Sequence, residues 1–133
     1  MITVDTSAAL SLVEQREPNY TRTKAALDAD PGPYLIPVGI LSELTYLLYE
    51  RHGQRVLESF LGDVEAGAYT LDCGDNDLPR IRYLVHRYAN LPLGYADAAV
   101  IACAERSGGR ILSLDVRDFR VVAGEGRITV LPE

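Results

Sequence analysis

The chain has 133 residues, 47% of them hydrophobic, and a formal charge of −6 from 13 basic and 19 acidic side chains. That length suits one domain around one core. No run of 18 apolar residues offers a membrane span, and the acidic balance argues against a protein that merely coats polyanions.

Two cysteines, Cys73 and Cys103, are too few for a disulfide framework, and each is expected as a small buried or half-buried thiol. A first strand at the first residue argues against a leader peptide. The protein is expected in the cytoplasm. Lys24 is the only lysine, so positive charge is carried by arginine, which suits bidentate contacts to carboxylate or phosphate.

Ile2 to Asp5 reads as a strand that stops at a carboxylate. Thr6 and Ser7 are N-cap types, and Leu10 and Val13 continue at helical spacing over about Ser7 to Val13. Glu14 to Asn19 is a polar loop. Asn19 can cap a helix to about Asp30, where Asp30-Pro31-Gly32-Pro33 stops it.

Tyr34-Leu35-Ile36 reads as a buried strand, with Pro37 leading into a helix that runs to about Arg51 and ends at Gly53. Glu43 lies three after Ile40 and four before Leu47, so it is expected to share that helix's apolar stripe. Gln54 to Ala66 is an amphipathic helix with Leu57, Phe60, Leu61 and Val64 as its expected buried stripe. Ala68 to Leu71 is a strand.

Asp75 or Asn76 is expected to start the next helix, which carries Leu78, Ile81, Leu84, Val85 and Tyr88, with Pro79 in its first turn. Tyr95-Ala96-Asp97 opens a helix of small residues, and Ser107-Gly108-Gly109 ends it. Arg110 to Asp115 is again a strand running into an acid. Val116 to Val122 is a polar turn or short helix, and Arg127 to Leu131 a final strand.

Strands alternate with helices, and several strands are unbroken apolar runs. That pattern predicts a three-layer α/β/α sandwich with a central, mainly parallel sheet, as a single domain over residues 1–133. In such a sheet the strand ends carrying Asp5 and Asp115 point the same way. Asp97 lies in a helix's first turn at that edge, and Glu43 has the reach to join them.

Carboxylates so gathered raise one another's pKa unless a cation compensates. An all-oxygen set suits Mg²⁺ or Mn²⁺. One or two such ions can activate a water for attack on a phosphodiester and stabilise the leaving oxygen.

Auxiliary roles fall to four further residues. Ser113 points to the same side as Asp115, Asp118 is a further acid, and Thr6 and Ser7 can orient water or phosphate. Arg80, Arg82, Arg87, Arg117 and Arg120 are candidates for a phosphate-binding rim. Glycine-rich nucleotide fingerprints, zinc-spaced ligands and a nucleophile elbow are absent.

Val4-Asp5-Thr6-Ser7, Leu41-Ser42-Glu43-Leu44, Tyr95-Ala96-Asp97-Ala98, Leu112-Ser113-Leu114-Asp115 and Asp118-Phe119 together resemble the PIN domain. Within it, the order and spacing are similar to the VapC-like ribonuclease toxins of toxin–antitoxin pairs. The resemblance implies an Mg²⁺- or Mn²⁺-dependent endoribonuclease with Asp5, Glu43, Asp97 and Asp115 as its catalytic and metal-binding acids. Ser113 falls where the family has threonine or serine. It also implies a homodimer and a cognate antitoxin protein that holds the enzyme inactive. An inactive PIN-like interaction module and a DNA- or structure-specific nuclease share the pattern.

Overall fold

Ile2, Thr3 and Val4 are all buried, as a central strand covered on both faces requires. In the computed structural model, which describes residues 1–133, they form β1 (Ile2–Val4). There follow α1 (Thr6–Leu12), α2 (Tyr20–Asp28), β2 (Tyr34–Pro37), α3 (Val38–His52), α4 (Gln54–Glu65), β3 (Thr70–Asp72), α5 (Leu78–Arg87), α6 (Tyr95–Arg106), β4 (Arg110–Leu112), α7 (Val116–Ala123) and β5 (Thr129–Leu131). The five strands pair in the order β3-β2-β1-β4-β5, every pair parallel, with helices packed against the sheet. This is the α/β/α sandwich that the alternation of elements predicts.

The order reverses at β1: the chain first builds outward through β2 and β3, then returns to lay β4 and β5 on the other side. The carboxyl end between β1 and β4 is therefore the topological switch point, where an open parallel sheet leaves a crevice. Asp5 follows β1 there. Apart from β2, which extends one residue further to Pro37, the strands are shorter than predicted, but the ladder reaches one residue past β1 and β4: Asp5 N–H donates to the Leu112 carbonyl at 3.0 Å and Ser113 N–H to that of Leu131 at 2.8 Å.

The core is a single cluster centred on Ile2, Val4, Ile36, Ile40, Leu44, Ile111, Leu112 and the middle of α6. Ala98 to Ala104 are buried without a break, because α6 touches β1, β2, β4, α3 and α5 and so has no solvent face there. Its small side chains permit that many close neighbours. At Gly39 the approach of α6 is tight enough that an added Cβ would lie 3.0 Å from Ala99 Cβ. Gly109, with φ of +80°, makes the turn into β4, and a Cβ there would lie 2.6 Å from the Arg127 carbonyl oxygen.

Several details differ from expectation. Leu61, Leu78 and Val85 are exposed, since α4 packs mainly on α3 and α5 on α6, and a single partner helix covers only a narrow stripe. Asp77, not Asp75 or Asn76, is the N-cap of α5. Residues after Asp115 form a true helix. Cys103 is buried but Cys73 is exposed, and both are free thiols. No helix is long and apolar enough to cross a membrane.

Candidate active site

A cleft of about 370 Å³ opens at the switch point, and Asp5, Glu43, Asp97 and Asp115 all line it. The four come from four different elements. Asp5 follows β1 and is the N-cap of α1, although Thr6 and Ser7 were the expected caps. Asp115 is the N-cap of α7, Asp97 sits in the first turn of α6, and Glu43 lies in the second turn of α3.

Neither aspartate N-cap makes a side-chain capping bond, so both carboxylates remain available. Glu43 is exposed, which corrects the expectation that it shares the apolar stripe. The buried stripe of α3 is Ile40, Leu44 and Leu48, spaced by four, and Glu43 sits one position to its side, on the cleft wall.

Asp5 is held by serines. Its Oδ2 accepts from Ser113 Oγ at 2.8 Å and from Ser7 Oγ at 3.0 Å. Ser7 Oγ also accepts from the backbone N–H groups of Leu114 at 2.9 Å and Asp115 at 3.3 Å. The first turn of α1 is thereby fastened to the segment after β4, which carries Asp115 to the mouth of the same cleft. Thr6 lines the cleft too, and its buried hydroxyl has no hydrogen-bond partner.

Electrostatics bear the mark of crowding. Burial raises the Asp5 carboxyl above its ordinary value, the hydrogen bonds from Ser113, Thr6 N–H and Ser7 lower it, and the charge of Asp115 raises it. Asp97 is lifted to about 6, chiefly by burial, then by the charges of Asp5, Asp115, Asp118 and Glu43. Asp118, whose charge acts on Asp97, is half-buried. Asp5, Glu43, Asp97 and Asp115 enter no ion pair.

No three acidic, histidine or cysteine side chains stand close enough together to enclose a metal ion as they are placed. The acids share a cleft and a field without converging on one point. The donor chemistry of these four nevertheless fits a hard divalent cation: carboxylate oxygens only, mutual repulsion unrelieved by any ion pair, and an orphaned hydroxyl on the wall.

The arginines divide. Arg80 is engaged within the fold, donating to Glu105 through Nε at 2.8 Å and Nη2 at 2.7 Å, and to Glu125 at 3.0 Å. Its charge is therefore already matched, and it is not a free phosphate ligand. Arg82, Arg87, Arg117 and Arg120 are exposed and form no ion pair, and none of them lines the cleft. The cleft's one basic side chain is Arg51, which the sequence reading passed over, together with Glu17 and Asn19 of the α1–α2 loop. Helical spacing held the signal, since Leu47 and Arg51 follow Glu43 by four and eight residues on one face.

Residues 2–125 match the model of the PIN domain family. The chain is 32% identical over 133 residues to ribonuclease VapC26 of Mycobacterium tuberculosis, covering 97% of this chain and 98% of that one. Among solved structures, it resembles M. tuberculosis VapC20, described as a sarcin-ricin loop cleaving toxin, with TM-score 0.77 at 21% identity over 92% of this chain and 95% of that one. A toxin–antitoxin complex from Klebsiella pneumoniae superposes with TM-score 0.71 at 20% identity, covering 98% of this chain and 96% of that chain. With acids at the switch point of a five-stranded parallel sheet and a match along nearly its whole length, the chain belongs to the PIN-domain family, among its VapC-like members.

Proposed function

We propose that the chain is a divalent-metal-dependent endoribonuclease, the toxin of a toxin–antitoxin pair, acting in the cytoplasm. Family membership supports a nuclease-toxin role, and one observation carries the finer reading: four carboxylates from four elements face one cleft and none of them is held in an ion pair. Asp5, Asp97, Asp115 and Glu43 would hold Mg²⁺ or Mn²⁺, as one or two ions. When bound, such an ion lowers the pKa of water and offsets charge on the phosphodiester.

The chain's own residues supply the rest. Ser113 and Ser7 orient Asp5 through its Oδ2. Asp97, lifted to about 6 by burial and its acidic neighbours, would be kept deprotonated by a bound cation. Asp115 and Asp118 add negative charge that draws in the cation. A cognate antitoxin is the expected partner, and a homodimer is supported by exposed Tyr46 and Tyr49 on α3 and Tyr83 on α5.

The test is cleavage of single-stranded RNA with Mg²⁺ or Mn²⁺, with single-stranded and flapped DNA as comparisons. Asp5→Asn and Asp97→Asn should each lower RNA cleavage more than about 100-fold while the fold survives, and should weaken Mn²⁺ binding by calorimetry. Variants that cut as fast as the parent overturn the reading.

A further inference from the structure

The cleft is longer than the acidic site needs. α1 and α3 leave the carboxyl edge of the sheet side by side and pack on one another, and the cleft runs back between them. Its far half is walled by Leu10 of α1, Leu47 and Arg51 of α3, and Glu17 and Asn19 of the connecting loop. Arg51 follows Glu43 by eight residues, which at the helical rise places it about 12 Å further along the axis.

Two polar side chains of that half are otherwise unused. Arg51 is exposed and has no carboxylate within ion-pair distance. Of the nearby loop acids, Glu17 Oε1 lies 3.3 Å from His52 Nε2, and Glu14 lies 3.6 Å from His52 Nδ1 and 3.8 Å from Arg16 Nε. Asn19 is the N-cap of α2 but makes no side-chain capping bond, so its amide is free. A guanidinium, a free amide and two leucines along one trough match a nucleotide, which offers a phosphate, a hydrogen-bonding edge and an apolar ring face.

We propose that this half of the cleft is a nucleotide subsite for the RNA strand. Arg51 takes a phosphate remote from the scissile one, and the intervening nucleotide lies over Leu10 and Leu47 within reach of Asn19. The subsite rests on the ribonuclease reading but adds a contact outside the acids.

Binding of labelled single-stranded RNA to the full chain carrying Asp5→Asn, followed over a salt series, tests it beside cleavage by the parent. Adding Arg51→Ala should weaken binding about tenfold at 0.1 M salt, as loss of a charge-assisted phosphate contact predicts. It should also reduce the slope of log K against log salt by about 0.7. In the otherwise unaltered chain, Arg51→Ala should raise KM while kcat stays within about twofold, as expected for a contact away from the reacting centre. Arg51→Lys should recover part of the affinity. Arg55→Ala, on exposed α4, should change nothing.

Equal losses from Arg51→Ala and Arg55→Ala would overturn the subsite as mere bulk charge. An Arg51→Ala chain with unchanged affinity and salt slope would also overturn it, and is the result expected if Arg51 serves a protein partner. If the parent cleaves RNA while Arg51 is silent, only the subsite falls. If the chain neither binds nor cleaves RNA, both readings fall.

Discussion

Arg80 shows how one side chain's role is decided by its neighbours. It lies in the most basic stretch of the sequence, yet its guanidinium is shared between Glu105 and Glu125, and its protonated form is stabilised chiefly by the Glu105 hydrogen bonds. Tyr88 donates to the same Glu125, so α5, α6 and the turn after α7 meet in one network. Glu105 is only 10% exposed, and removing its partner leaves a nearly buried charge unmatched. Arg80→Ala should therefore cost about 1–3 kcal/mol in chemical denaturation. RNA affinity per folded molecule should be unchanged. A variant of normal stability that binds RNA poorly would place Arg80 on the nucleic-acid rim instead.

At the level of elements, the spacing of α3 from α6 sets the distance between Glu43 and Asp97. Gly39 fixes that spacing where α3 begins: a Cβ there would stand 3.0 Å from Ala99 Cβ and 3.2 Å from Tyr95 Cε1. Tyr95 is exposed and can swing aside, but Ala99 is buried on a helix that touches three strands. Gly39→Val should force the helices apart and cost about 1–3 kcal/mol. It should also lower cleavage more than stability alone accounts for, because Glu43 and Asp97 separate. Cleavage and thermal melts on the same preparation check this. Retained activity at reduced stability would show that the site tolerates a wider gap.

Across the whole molecule, the acidic cleft opposes folding near neutral pH. The folded pKa of Asp97, about 6, lies above the ordinary 3.8, and that of buried Asp5 is raised as well. The folded state thus binds more protons than the unfolded chain between these values, so stability rises as pH falls from about 7 toward 4. For Asp97 the effect is about 1–3 kcal/mol after allowance for solvent screening, or several degrees in Tm. Mg²⁺ or Mn²⁺ should raise Tm at pH 7.5 and much less at pH 5, where protons already relieve the repulsion. Asp97→Asn should flatten the pH dependence and blunt the metal effect. Melting curves at both pH values, with metal and with chelator, measure each part. A Tm that falls steadily from pH 7 to pH 5 in the absence of metal contradicts the electrostatic account.

The parallel sheet, the order of elements and the acids at strand ends could all be read from the sequence, because each depends on local pattern. Apolar runs make covered strands, 3.6-residue spacing makes helices, and a strand that ends in aspartate puts that aspartate at the carboxyl edge. Tertiary structure alone decided which acids face a common cleft, that Glu43 stands on its open wall, that Arg80 is spent on two glutamates and that Arg51 is left free. Those outcomes depend on which polar groups meet across 25 to 108 residues of chain, as in Arg80–Glu105 and Asp5–Ser113. Periodicity records which face of a helix is apolar, but the packing of one helix on another chooses the partner of each charge.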